Sequence, residues 1–160
     1  MLAILPEDRT LLAPTVGELA ERIQGEILSG AETAVELVEN FMLGAMIVDS
    51  GLEYFGRKAN KAVVVKSERP DMQLAALQTP TRCLILTGST APKSDVLRLA
   101  GDKNIPIILA KDNIATVAAK IEETPGQTVF SQEKKLPRLT EIMKQHLDFK
   151  ALYQGLGLAS

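Results

Sequence analysis

Histidine and cysteine each occur once in this chain of 160 residues, tryptophan is missing, and aromatics make up only 4%. Each shortage removes a class of function. A single cysteine, Cys83, excludes an internal disulfide and points to a reducing compartment. The one histidine, His146, stands beside Asp148 and far in sequence from any Ser or Cys in a strained turn. That argues against both a Ser-His-Asp triad and a histidine-rich metal site. Few aromatics, no basic patch interleaved with them and a net charge of −2 argue against nucleic-acid binding. No apolar run approaches the length of a membrane span, and MLAILPEDRT has too short an apolar core and the wrong charges for a signal peptide. The phosphate-cradling pattern G-x-x-x-x-G-K-[ST] occurs nowhere. The expectation is a cytoplasmic chain that engages neither nucleic acid nor membrane.

What is present is aliphatic. Hydrophobic residues form 46% of the chain, enough for one domain with a full core of Val, Ile, Leu and Ala. The organising stretch is Lys61 to Ser89, KAVVVKSERPDMQLAALQTPTRCLILTGS. Its two apolar runs, Ala62 to Lys66 and Cys83 to Thr87, are short and end in polar turns, as strands buried on both faces do. Between them Pro70 suits the first turn of a helix and Asp71 its positive end. Strand, helix and strand at this spacing predict a right-handed βαβ unit. The turns SERPD and TGST then leave the sheet at one edge, the edge where open α/β sheets bind ligands.

The flanks extend the alternation. Thr15 to Glu18 reads as a capping box opening a helix with Val16, Leu19, Ala20 and Ile23 on one face, stopped by Gly25. EILSG is a short strand, and AETAVELVEN fits helix or strand. Asp49 is expected to cap a short helix through Leu52, Tyr54 and Phe55. Later come a helix from Pro92 and Ser94, a strand over Ile105 to Ala110, and a helix with Asp112 as its expected N-cap and Ile114, Val117, Ala118 and Ile121 on its apolar face. After Thr124 a further amphipathic helix carries Leu136, Leu139, Ile142, Met143 and Leu147. The pattern predicts a three-layer α/β/α domain with a largely parallel sheet.

Chemistry-bearing residues gather in the turns of the central unit. Lys66, Arg69 and Lys93 stand near helix N-termini and can meet an anion, though charged residues are common in such turns. Glu68 and Asp71 can flank a site or serve the helix dipole. Gly88-Ser89-Thr90 can present backbone N–H groups to phosphate. Cys83 opens a core strand, which suits a structural thiol better than a nucleophile. The helix from Pro70 to Thr79 is apolar nearly all round, which means burial on more than one side, within the domain or between subunits. NFMLGAM supplies further apolar surface if it lies at a sheet edge.

Glu68-Arg69, Asp71 and Thr87-Gly88-Ser89 together resemble the signature of DRTGG domains, with Glu68 in place of the Asp and Ser89 in place of the last Gly. VENFMLGAM, NKAVVVKSERPDMQLAALQT and CLILTG resemble the DRTGG segment of phosphotransacetylase-type proteins. The resemblance runs from about Thr15 to Ile121. It implies a fold like that of the N-terminal domain of the HPr kinase/phosphorylase, and it favours a strand over Val38 to Met46. By this reading residues 1–14 are linker-like, 15–124 form the DRTGG domain and 125–160 a C-terminal helical extension. The function implied is a non-catalytic regulatory and oligomerisation module, most simply a homodimer. Its ligand would be an adenine nucleotide or another phosphorylated metabolite, held by Arg69, Asp71, Thr87, Gly88 and Ser89, with no catalytic or metal-ligating residue. Its partner would be an attached or separate P-loop, BioD-like domain or a phosphotransacetylase catalytic domain. Two rivals stay open: a small enzyme acting on a phosphorylated substrate, and an interaction scaffold without a small ligand.

Overall fold

The computed structural model describes residues 4–45, 51–123 and 132–158. The chain divides into two compact units, Ala13–Thr128 and a second made of Met1–Leu12 with Val129–Ser160.

In the larger unit the elements are α2 (Val16–Arg22), β1 (Glu26–Ser29), β2 (Asn40–Gly44), α3 (Gly51–Gly56), β3 (Lys61–Lys66), α4 (Pro70–Leu77), β4 (Thr81–Thr87), α5 (Ser94–Asp102), β5 (Ile107–Ala110) and α6 (Ile114–Glu122). The label α1 belongs to Arg9–Leu12, in the smaller unit. The five strands form one sheet in the order β1-β5-β4-β3-β2, parallel except for β1 against β5.

Side-chain alternation explains the layers. On β3 and β4, Ala62, Val64, Cys83 and Ile85 face one way, into a core with Val16, Leu19 and Ile23 of α2 and its cap and with Val117 and Ile121 of α6. Val63, Val65, Leu84 and Leu86 face the other way, against Phe55 of α3, Met72, Ala76 and Leu77 of α4, and Val96 and Ala100 of α5. Strands buried on both faces need apolar residues at every position, which is why AVVV and CLIL carry no alternation. The result is the expected α/β/α sandwich with a largely parallel sheet. Its all-round apolar α4 lies against the sheet and beside both α3 and α5.

Local signals hold in detail at the first helix. Thr15 Oγ1 accepts from the Glu18 N–H at 3.2 Å, and Glu18 Oε2 accepts from the Thr15 N–H at 2.7 Å. At the other end Gln24, not Gly25, takes the left-handed conformation at φ 54°. Gly25 is required by packing instead: a Cβ there would lie 2.5 Å from Ile108 Cγ2.

Three boundaries differ from expectation. The N-cap of α6 is Asn113, whose side chain accepts from the Thr116 N–H at 2.9 Å, while Asp112 pairs with Lys120 at 2.7 Å. A cap must sit extended within reach of the third helical N–H, and Asp112 lies one residue too early. Strand β5 starts at Ile107 because Ile105 gives its N–H to Ala100 O of the preceding helix turn and Pro106 has none to give. Strand β2 starts at Asn40 because the Val38 N–H is spent on Pro14 O. The expected cap at Asp49 and the strand end at Met46 lie outside the described residues.

In the smaller unit a 3₁₀ turn, Glu133–Lys135, leads into α7 (Leu136–His146), followed by α8 (Phe149–Gly155). Asp8 caps α1 through the N–H groups of Thr10 and Leu11, at 3.0 and 3.3 Å. Its other oxygen accepts from Arg138 Nε and Nη2 at 2.9 and 2.8 Å, so the N-terminal segment is tied to α7. Burial opposes ionisation of Asp8, but the Arg138 hydrogen bond and charge and the two N–H groups outweigh it and hold the carboxyl below its ordinary range.

Candidate ligand site at the carboxyl edge of the sheet

The register of the three central strands sets the site. Lys66 pairs with Thr87, and Thr87 with Ala110, so β3, β4 and β5 end at one level. The ladder continues one step into the turns: the Ser67 N–H donates to Thr87 O at 2.9 Å and the Gly88 N–H to Ala110 O at 3.0 Å. SERPD and TGST therefore leave the sheet side by side.

Their contact is close. Gly88 has φ +118°, a region that side chains other than glycine rarely enter. A Cβ on it would lie 2.6 Å from Ser67 Oγ and 3.3 Å from Glu68 Oε1. Ser67 is buried and its hydroxyl donates to Glu68 Oε1 at 3.2 Å. The joint between the turns is thus made by Ser67 and Glu68 closing over Gly88. Thr87 is buried at the end of β4, and Ser89 is exposed beyond it.

Arg69 and Asp71 meet within the first turn. Arg69 Nε donates to Asp71 Oδ1 at 3.1 Å and Nη2 to Oδ2 at 2.9 Å, a bidentate pair with both side chains partly exposed. The Arg69 hydrogen bond is the main reason the Asp71 carboxyl titrates below its usual range, with the Met72 and Asp71 backbone N–H groups adding to it. The same bond raises Arg69 further above its already high value. Two consequences follow. The carboxylate of Asp71 occupies the positive end of α4, so that end is satisfied by the chain itself. The guanidinium is held in one orientation by Asp71, and Nη1 has no hydrogen bond to a described residue. Lys66 and Lys93, the other basic candidates, are exposed at the same edge, Lys93 as the N-cap of α5.

Gln73 escaped sequence reasoning. It is fully buried, and its Nε2 donates to Lys66 O at 3.0 Å and Ser67 O at 3.1 Å. Its Oε1 is buried and accepts no hydrogen bond from the described residues, which ordinarily costs about 1–3 kcal/mol. A glutamine in PDMQLAAL was legible as the one polar residue of the helix after Asp71 in its first turn. That it turns inward depends on where the sheet lies.

Cys83 is buried between α2, α6 and the sheet, and burial pushes its thiol up to about 12, which makes it inert as a nucleophile. His146 is exposed at the end of α7. Among the described residues there is no cluster of His, Cys, Asp and Glu able to hold a metal ion. No described helix is long and apolar enough to cross a membrane.

Fold and edge together define a three-layer α/β domain whose strand-end turns are locked against each other. The chain belongs to the DRTGG domain family, which matches residues 18–124. A phosphate acetyltransferase of Nitratidesulfovibrio vulgaris (strain Hildenborough) is 24% identical over 159 residues, covering 93% of this chain and 22% of the relative. The chain therefore spans about a fifth of the length of that protein. Among solved structures, one comprises the CBS and DRTGG domains of the regulatory region of Clostridium perfringens pyrophosphatase, complexed with the activator diadenosine tetraphosphate. It superposes with a TM-score of 0.61 at 17% identity, covering 87% of this chain and 64% of that one. At that identity the likeness shows the fold alone.

Proposed function

We propose that this chain is a non-catalytic regulatory module that senses an adenine nucleotide or another phosphorylated metabolite where the two turns meet. Arg69 would supply the anion contact and Asp71 its orientation. Thr87, Gly88 and Ser89 would supply the close backbone wall. The observation that carries this reading is the bidentate Arg69–Asp71 pair at the sheet edge where Gly88 is locked under Ser67 and Glu68. Family membership and the regulatory, adenine-nucleotide-bound character of the structural neighbour support it. By the same reading the DRTGG domain spans 15–124 with the N-terminal fold of the HPr kinase/phosphorylase. The module works in the cytoplasm as a homodimer, beside an attached or partner P-loop, BioD-like domain or a phosphotransacetylase catalytic domain.

The test is a thermal-shift series on the 160-residue chain with ATP, AMP, diadenosine tetraphosphate, acetyl phosphate and acetyl-CoA. A ligand at one hundred times its Kd stabilises the folded state by about 2.7 kcal/mol. Stabilisation without turnover supports the sensor. Conversion of a phosphorylated compound, including acetyl-CoA formation from acetyl phosphate, would make the chain an enzyme. No response at millimolar concentrations would leave an interaction scaffold. Arg69→Ala should weaken binding of any hit and leave the melting temperature nearly unchanged, because the pair is exposed. Sedimentation at tens of micromolar protein checks the dimer.

A further inference from the structure

We infer that Gln73 is the positioning residue of this edge: it fixes the turn that presents Arg69, an inference that rests on the ligand reading above. Four hydrogen bonds hold the carbonyls of the turn from Lys66 to Pro70. The Arg69 N–H donates to Lys66 O at 3.1 Å, Gln73 Nε2 donates to Lys66 O and Ser67 O, and the Gln73 N–H donates to Arg69 O at 3.1 Å. Gln73 makes three of the four, two through its side-chain amide and one through its backbone N–H. Its side chain thus binds the carbonyls at the start of the turn while its own peptide holds Arg69 at the end.

Burial argues that the amide is there for its donors. Met72, Ala76 and Leu77 already pack α4 onto the sheet, and an apolar side chain at position 73 would fill the same space without leaving Oε1 unpaired. The carbonyls of Lys66 and Ser67 both meet the one Gln73 amide nitrogen, at 3.0 and 3.1 Å. Without it Ser67 O loses its hydrogen bond from Gln73 and Lys66 O keeps only that from the Arg69 N–H, so the turn is held less firmly although the Ser67 N–H still donates to Thr87 O. Ser67 then seats less firmly against Gly88, and Arg69 and Asp71 lose their fixed place beside it. Gln73 thereby couples the seating of α4 to the anion-binding geometry, although it lies beneath the site and touches no ligand itself.

The experiment uses the full chain with Gln73→Met, Arg69→Ala and the double variant, and ATP as the probe. Calorimetry should show Gln73→Met weakening ATP binding at least fivefold in the wild-type background and less than twofold in the Arg69→Ala background. A purely structural glutamine would lower the melting temperature and leave ATP affinity within twofold, which would overturn the inference. A second readout needs no ligand. Hydrogen exchange of Gln73→Met should lose protection at the Ser67 and Arg69 N–H groups while the β4 amides keep theirs. An equal loss throughout β3 and β4 would mean general destabilisation and would sink the proposal. If the methionine variant does not fold, Gln73→Glu carries the same two measurements, since its protonated form keeps one of the two donors and should recover affinity as pH falls. Failure of wild-type chain to bind ATP would remove the nucleotide reading, and the exchange data would then decide Gln73 by themselves.

Discussion

At the residue scale, two positions concentrate the physical demands of the fold. Gly88 combines φ +118° with a Cβ position 2.6 Å from Ser67 Oγ. Gly88→Ala should therefore cost about 1–3 kcal/mol of stability, read as a lower urea midpoint. Ser89→Gly, at an exposed position, should change stability by less than about 0.5 kcal/mol. Ser89 is, with Glu68, one of two positions where this chain departs from the DRTGG pattern, so the same variant shows whether its side chain narrows the loop: ligand affinity would rise if it does. Lys61 is the other position. It is fully buried, and its ammonium donates to Thr79 Oγ1 at 2.9 Å and Pro80 O at 3.0 Å, with no carboxylate among the described residues to pair it. Burial lowers its pKa from 10.5 to about 8. Between those values the unfolded chain holds more protons than the folded one, so stability rises with pH from about 8 to about 10.5. Below that window the folded state must carry a buried charge. Urea midpoints of wild type and Lys61→Met across pH 7–11 should converge or cross in this sense; a difference constant with pH would refute it.

At the element scale, α4 is tied at both ends, at its C-terminal end by side chains from outside it and at its N-terminal end by its own Gln73. Lys103 Nζ donates to Leu77 O at 2.8 Å, Thr81 Oγ1 donates to Ala76 O at 2.7 Å, and Lys66 O and Ser67 O receive Gln73 at the other end. A helix of eight residues has little stability of its own and depends on such packing. The apolar surface around α4 that suggested a subunit interface is spent largely within the domain, against the sheet, α3 and α5. Met72→Glu should therefore unfold the chain, since an unpaired buried charge costs about 3–5 kcal/mol. Leu74 is only half-buried and lines a groove of about 300 Å³ with Asp95, Arg98, Leu99 and Asp102. Leu74→Glu should leave the circular dichroism spectrum intact, and a change in sedimentation with it would place a subunit contact there. The better-exposed candidate for self-association is β2, an end strand of the sheet with Leu43 partly exposed.

At the scale of the whole molecule, the two apolar cores lie entirely within residues 13–128, one on each face of the sheet. A fragment of 13–128 should unfold in one cooperative urea transition and bind the same ligands with unchanged affinity. Aggregation of that fragment, or loss of binding, would show that the terminal unit is needed for the fold or the site. The terminal unit has its own tie, Arg138 between Asp8 and Glu141. Because the Asp8 pKa is lowered on folding, the stability it contributes is present above the ordinary carboxylate range and is lost as pH falls through the folded value.

Strands, helices and layers were legible in the chain because they follow from short-range patterns. AVVV and CLIL have no alternation and are buried on both faces. T-V-G-E makes its capping box, and Pro70 opens its helix, since each depends on residues within one turn of itself. The residues of the candidate site were legible as types, and the strand endings placed SERPD and TGST at one edge. Tertiary structure decided what those residues do to each other. Arg69 pairs with Asp71 inside its own turn, and Ser67 with Glu68 makes the joint to Gly88, because the β3–β4 register sets Lys66 opposite Thr87. Gln73 and Lys61 turn inward for the same reason: which face of a short apolar helix or strand end is buried depends on what packs over it. A side chain's partners across the sheet are fixed only by a register that no local pattern encodes.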